Sequence, residues 1–269
     1  MPAFARAVVY PDNEEKLKKL LLLLHTQHIP YKVIGGMTNL LVRNGIYHGV
    51  IIKTDKLQTK SLAECKITLG CGVRIGAVIQ QLASFGLGGM EGLTGIPGTV
   101  GGMIRQNAGA FGWEISDRFI SARCYLPTEA KEVVFTKAEM SFSYRKSILS
   151  DNGAVIMSVE LGLVEDEPEH IIRLINDLKD QRKKAQPTEY PSLGSVFKRY
   201  NGQSAGYYID RAGLKGLSVG GAQVSRKHAG FIVNTGAATA DNYLELIDKV
   251  KERVYAEFGI ELEEEIEII

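Results

Sequence analysis

Cysteine is scarce in this 269-residue chain. The three present, Cys65, Cys71 and Cys124, are odd in number and show no CxxC spacing. That argues against a disulfide framework and a zinc cage, and fits a reducing compartment. The five histidines form no HxxxH pair, and His25 and His28 fall near a helix end, where a capping or surface role is usual. No metal is expected. Charge of one sign is lacking too: 32 basic residues stand against 31 acidic ones, a formal net charge of +1. Nothing in that balance suggests a nucleic-acid partner. Long apolar runs are absent. Leu20–Leu24 is too short for a signal core or a membrane span, and Leu17, Leu20, Leu21 and Leu24 repeat at helical spacing, the buried face of a soluble helix. With no targeting segment visible, the expected location is the cytoplasm, with no membrane partner and a monomeric state.

What is present is ordinary globular composition, 45% hydrophobic and 23% charged. The length suggests two domains, or two lobes around a cleft. A short strand is predicted over Ala5–Val9 and a helix over Asp12–His25, opening on Pro11-Asp12-Asn13. Strands follow at Tyr31–Ile34, Leu40–Arg43 and Gly49–Ile52. The middle predicts a strand over Lys66–Leu69, a helix over Ile75–Phe85, and strands at Ser121–Leu126, Glu132–Phe135 and Val155–Leu163. A helix over Glu169–Lys184 has Ile171, Leu174, Ile175 and Leu178 on one face and Pro168 in its first turn. Gln186–Gly194 reads as a boundary loop. The last third holds an element at Tyr207–Ala212, a strand near Phe231–Asn234, and a helix from Asp241 striped by Tyr243, Ile247, Val250, Val254 and Phe258 and stopped by Gly259. An alternating strand, Ile260–Ile268, ends the chain.

Two loops stand out. Gly35-Gly36-Met37-Thr38-Asn39 follows a strand, and Gly92–Gly112 holds seven glycines among its residues. Glycine permits positive φ and leaves N–H groups unshielded, and successive N–H groups make anion-binding concavities. Two such loops facing each other would grip a diphosphate without lysine, with Thr38 and Asn39 adding hydrogen bonds. The bland alternative is a set of tight turns, and composition alone leaves the two about equal. For Gly70-Cys71-Gly72-Val73-Arg74-Ile75-Gly76 the bland alternative is preferred: it mimics a dinucleotide fingerprint with one residue too many, and no acidic residue stands clearly at the expected distance.

The motifs GGMTNLL, GLTGIPGTVGGMIRQNAGAFG, FSYRKSI, GSVFK, AGLKGLSVGGAQVSRKHAGFIVN and LEEEI occur in that order. Together, over nearly the whole chain, they resemble the UDP-N-acetylenolpyruvoylglucosamine reductases, flavoenzymes of peptidoglycan precursor synthesis, in their shorter type without a substrate-covering tyrosine loop. The resemblance implies an α+β fold: a two-lobed FAD-binding domain of the vanillyl-alcohol-oxidase type and a C-terminal α+β substrate-binding domain. The implied parts are residues 1–57 and 58–185 as FAD lobes, with 260–269 near the first, and 186–259 for substrate. FAD would lie along Gly35, Gly36, Met37, Thr38, Asn39 and Leu40 and along Ile96, Pro97, Gly98, Thr99, Gly101, Gly102, Asn107, Gly109 and Ala110. Arg182 and Lys198 are candidate phosphate or cofactor contacts; Lys198, Tyr144 and Gln223 are taken as substrate contacts. Met37 and Thr38 stand where the family usually has glycine and serine.

The implied chemistry moves hydride from NADPH through FAD to the enolpyruvyl group of a UDP-sugar. That leaves charge at C2 beside a carboxylate, so the site needs cations or donors and a proton source. Arg145 matches the family arginine, Ser195 the proton donor and Glu265 the glutamate. Strand alternation places Ile260, Leu262, Ile266 and Ile268 on one face with Glu264 as a charged intruder, and Glu265 on the other face, so Glu264 is the rival. Two alternatives remain: a flavin oxidase of the same fold on another substrate, and a non-catalytic paralogue that binds nucleotide or a partner.

Overall fold

A computed structural model describes residues 4–269. Compactness divides the chain into one unit of Ala5–Gly36 and His48–Asp180 and another containing Met37–Tyr47 and Gln181–Ile269. That line differs from the three parts expected from sequence, since residues 37–47 go with the C-terminal residues. Both units mix helices and strands, an α+β chain.

In the first unit, helix α1 (Glu14–Thr26) starts where Asn13 accepts a hydrogen bond from the Lys16 N–H, and Glu14 and Glu15 complement the helix dipole. Leu17, Leu21 and Leu24 of its stripe are buried. Strands Tyr31–Ile34 and Ile46–Lys53 pair in parallel, Tyr31 opposite Val50 through Ile34 opposite Lys53. A five-stranded antiparallel sheet runs in the order Lys131–Thr136, Phe119–Leu126, Val155–Gly162, Lys66–Gly70, Lys60–Ala63. Its middle strand is buried over Val155–Val159 on both faces, which is why that run reads as continuously apolar. Helices α2 (Ile75–Ala83) and α3 (Val100–Arg105) belong to the same unit, α4 (Pro168–Ala185) runs past its end at Asp180, and α3 packs on strands Lys66–Gly70 and Val155–Gly162.

The fingerprint look-alike at Gly70–Gly76 has a packing explanation. A Cβ on Gly70 would lie 2.6 Å from the Leu57 carbonyl oxygen, and one on Gly72 would overlap the Thr54 carbonyl oxygen. The same stretch anchors α3: Val100 N–H donates to Val73 O (2.8 Å) and Gly101 N–H to Cys71 O (2.9 Å). Cys71 and Cys124 are buried, and burial pushes both thiols up to about 12, which leaves them inert.

The second unit is built on an antiparallel sheet ordered Ser192–Ser195, Phe231–Asn234, Ala222–Val224, Ser218–Val219. The Gln186–Gly194 loop is therefore shorter than expected, ending in a strand. The element near Tyr207 is helix α5 (Ala205–Arg211), capped by Ser204. Helix α6 (Ala240–Phe258) begins in a Thr239–Asn242 capping box and ends at Gly259, φ 67°. Its Tyr243, Ile247, Val250 and Val254 are buried, while Phe258 packs half-buried against them.

The expected strand Ile260–Ile268 is the main correction. Ile260, Leu262 and Ile266 are buried as the alternation predicts, but only Glu267–Ile268 forms a ladder, parallel to Leu40–Leu41, with one bridge between Glu264 and Phe197. Alternation marks a buried face; it does not supply a hydrogen-bonding neighbour. The predicted strand Leu40–Arg43 is likewise trimmed to Leu40–Leu41.

The packing origin of the look-alike motif is testable by thermal unfolding. Gly72→Ala should destabilise by about 1–3 kcal/mol through overpacking. Gly76, in α2 with nothing near its Cβ position, should tolerate alanine with a gain of about 0.5 kcal/mol. Equal behaviour of the two variants would contradict this origin.

Candidate active site

The two glycine loops meet. A Cβ on Gly36 would lie 2.9 Å from Gly98 Cα, and one on Gly35 would overlap Thr99 Oγ1. Main chain therefore touches main chain, which only glycine allows. Gly98 takes φ 130° and Gly95 φ 76°. Among the described residues, the N–H groups of Gly36, Gly98 and Thr99 are given to no backbone carbonyl. The Thr99 hydroxyl is buried, at 1% residue exposure, with no hydrogen-bond partner. Ile96 packs half-buried on the core and Pro97 is exposed. A Cβ on Gly101 would lie 2.9 Å from Cys71 Cβ, whereas one on Gly102 would make only an ordinary contact with Thr99 Oγ1 (3.7 Å).

The far end of the glycine stretch is braced by Asn107, which is 1% exposed at φ 42°. Its Nδ2 donates to Glu114 Oε2 (2.7 Å) and Ser143 O (3.2 Å), and its Oδ1 accepts from Ser116 N–H (3.3 Å). Gly109 and Ala110 pair with Glu114 and Trp113, and a Cβ on Gly109 would overlap the Trp113 carbonyl. Glu114 carried no signal in the sequence; its importance comes from the buried amide it satisfies.

Arg145 belongs to the same unit. Ser143 and Lys146 exchange backbone hydrogen bonds of 3.0 and 3.1 Å, closing a two-residue turn with Tyr144 and Arg145 at its tip. Arg145 takes φ 56°, a conformation costing a non-glycine residue about 1–2 kcal/mol. Such strain concentrates at ligand sites. Its Nη2 donates to Gly109 O (3.0 Å), its Nη1 more weakly to Asn107 O (3.5 Å), and its guanidinium stands 5.0 Å from the Tyr144 ring centroid. The arginine is thus tied to the carbonyls of the glycine stretch.

Ser195 and Glu265 lie in the other unit, and the backbone joins their segments. Glu265 N–H donates to Val196 O (2.8 Å) and Lys198 N–H to Glu263 O (2.8 Å). The Ser195 hydroxyl donates to Phe197 O (3.3 Å), and Gly194 before it takes φ 81°. The rival Glu264 forms an ion pair with Lys251 of α6 (2.9 Å), so its carboxylate faces that helix. Lys251 was not legible as its partner from sequence. Asn39 holds the tail: its Nδ2 donates to Glu265 O (3.0 Å), and its carbonyl accepts from Glu267 N–H (2.9 Å). Leu40 is buried in the short parallel pair. Met37 takes φ 57° where glycine was expected, and Thr38 beside it is half-buried.

The remaining candidates are engaged locally. Lys198 pairs with Glu263. Gln223 Nε2 donates to Gly216 O (3.3 Å). Arg182 is buried at 8% exposure, bonds Gln186 Oε1 (3.1 Å), and has its pKa lowered by that burial. Among the described residues no group of His, Cys, Asp or Glu is placed to hold a metal ion, and no helix is long and apolar enough to cross a membrane.

Residues 5–131 match the family described as FAD binding domain, and residues 186–269 match the C-terminal domain of UDP-N-acetylenolpyruvoylglucosamine reductase. The reductase of that name from Clostridioides difficile (strain 630) is 41% identical over 98% of this chain and 87% of its own. The chain belongs to the UDP-N-acetylenolpyruvoylglucosamine reductase family. The Lactobacillus helveticus (strain DPC 4571) reductase is 38% identical over 98% of this chain and 89% of its own. The crystal structure of the Thermus caldophilus reductase superposes with a TM-score of 0.81 at 36% identity, covering 97% of this chain and 90% of that one.

In this reductase-family chain the glycine seam fits an FAD diphosphate on its own chemistry. Among the described residues it offers backbone N–H groups given to no backbone carbonyl, and the buried Thr99 hydroxyl without a partner, features an anion would satisfy. Thr99→Val tests the fit. The hydroxyl makes no hydrogen bond within the protein, so the flavin-free variant should melt at or above the parent temperature. It should also retain less FAD through gel filtration. A variant that loses stability without flavin and keeps its FAD would contradict the assignment.

Proposed function

We propose that the protein reduces the enolpyruvyl group of UDP-N-acetylglucosamine enolpyruvate to UDP-N-acetylmuramate, with NADPH as reductant. Bound FAD supplies hydride transfer from NADPH to C3 of the substrate double bond. The chain's own residues manage binding and the proton. Gly35, Gly36, Gly98 and Thr99 hold the FAD diphosphate by backbone donors. Arg145 offers a planar, permanently charged fork to the substrate carboxylate and to the charge that develops at C2. Ser195 gives its hydroxyl proton to C2 and recovers one from water, so each turnover consumes one hydride and one proton. Glu265 acts beside Ser195.

The observation that supports this assignment is the backbone bond between Glu265 N–H and Val196 O, which ties the segment of the candidate acid to the residue after the candidate proton donor. The pairing of the Glu264 carboxylate with Lys251 supports Glu265 over Glu264 for that role. A serine is a weak acid, so it serves only where the base is strong and the hydroxyl is aimed. The pairing of Ser195 with Phe231 and the bond from Glu265 to Val196 hold the serine's backbone.

Stopped-flow kinetics separates the steps. Ser195→Ala should leave flavin reduction by NADPH unchanged and slow reoxidation by the enolpyruvyl sugar nucleotide by about 10²–10⁴-fold. Glu265→Gln, which keeps a hydrogen-bond donor, should retain more activity than Glu265→Ala, and Glu264→Gln should approach the parent. Equal slowing of both half-reactions by Ser195→Ala would remove Ser195 from the proposed role.

A further inference from the structure

His228 belongs to the motif that runs through the second unit's sheet, yet no role above uses it. Its Nδ1 accepts a hydrogen bond from Gly230 N–H (3.1 Å). Gly230 O in turn accepts from Val196 N–H (2.9 Å), the residue after Ser195. One peptide unit further on, Phe231 stands opposite Ser195 in the strand pair. Gly230 is thus clamped between an imidazole on its nitrogen side and the serine's strand on its carbonyl side. A Cβ on Gly230 would lie 3.1 Å from His228 Cε1 and 3.4 Å from Ser195 Oγ. The bare Cα therefore lets ring and hydroxyl approach the same point of the strand.

The imidazole is itself held rigidly. His228 N–H donates to Ser225 Oγ (3.2 Å), and His228 O accepts from Phe231 N–H (3.0 Å). Its ring meets Phe231 edge to face at 4.8 Å. Gly206, in the first turn of α5, brings its Cβ position within 3.3 Å of Cε1. A ring that accepts at Nδ1 carries its proton on Nε2 when neutral.

We propose that His228 is a positioning residue for proton transfer by Ser195: its Nδ1 lone pair fixes Gly230, and Gly230 fixes the strand position of the serine hydroxyl. The inference rests on the role given to Ser195 under the proposed function. It adds an electronic requirement, since protonation at Nδ1 removes the acceptor and releases Gly230 N–H. Lys215 after α5, paired with Asp210 (2.6 Å), adds a charge that opposes that protonation. The charged ends of Arg226 and Lys227 in the same turn lie instead against Gly216 and against Lys183 O and Glu189. Burial, the larger cause, also keeps the imidazole below its ordinary titration range. The acceptor is therefore intact at neutral pH, and it is lost only as pH falls below the usual histidine value.

Three variants separate this from mere packing. Asparagine places an acceptor oxygen near the Nδ1 position, glutamine near Nε2, and alanine offers neither. Each would be assayed as full-length holoenzyme, following flavin reduction by NADPH and reoxidation by the enolpyruvyl sugar nucleotide against pH. His228→Ala and His228→Gln should slow reoxidation by about ten-fold or more, with flavin reduction unchanged. The parent should show an acid limb below the usual histidine range, and His228→Asn should restore the rate near the parent's at pH 7 without that limb. Asparagine no better than alanine, or an acid limb that persists in His228→Asn, overturns the inference. Ser195→Ala in parallel keeps the two claims apart. If it slows reoxidation while the histidine variants do not, only His228 is misassigned; if it does not, the role of Ser195 fails first.

Discussion

At Gly36 the main chain lies so close to Gly98 that a side chain on Gly36 has no room. The rest of the FAD-binding unit is arranged to keep them there. Each glycine held in place costs roughly 0.5–1 kcal/mol against alanine in conformational entropy, so a stretch this rich in glycine does not hold itself. The anchors come from outside it. Val73 and Cys71 carbonyls pin the start of α3, and Asn107 spans Glu114, Ser116 and Ser143 at the other end. Close contact leaves backbone N–H groups without internal acceptors, and that deficit suits an anionic ligand.

The C-terminal unit solves a different problem, the placement of a short acidic tail. Exposed ion pairs contribute at most about 1 kcal/mol and hold geometry poorly. The tail is held instead by main chain: Glu265 to Val196, Glu267 to Asn39, Ile269 to Leu41 and Arg43 to Ile269. The Asn39 side chain adds a bond to the Glu265 carbonyl. That amide braces the segment that carries the candidate acid. Lys251 takes Glu264 toward α6.

Much of this was legible in the residues themselves. The stripes of α1 and α6, the Asn13 cap, the Gly259 stop and the strands Tyr31–Ile34 and Phe231–Asn234 follow from local periodicity and capping, which sequence records directly. The glycine loops were legible as places of close approach, and the motifs named the family. Long-range pairing was not. Nothing local tells that Ile260–Glu263 lacks a neighbouring strand, that Glu264 meets Lys251, or that Asn107 needs Glu114. His228 was passed over because isolated histidines are common, and its meaning appears only when Gly230 is seen between it and Ser195. Arg145 was picked by motif alone, while its positive φ and its hold on Gly109 are properties of the folded turn.

The claim most exposed to test is that bare backbone at Gly36, Gly98 and Thr99 recognises a diphosphate. Titrating flavin-stripped protein with FAD and with FMN, and following flavin fluorescence, measures it directly. FMN carries the same ring system and a single phosphate. The account predicts saturable binding of FAD and binding of FMN weaker by about a hundred-fold or more, the loss of a few charge-assisted hydrogen bonds. Equal affinity for the two flavins, or failure to bind either, would contradict it.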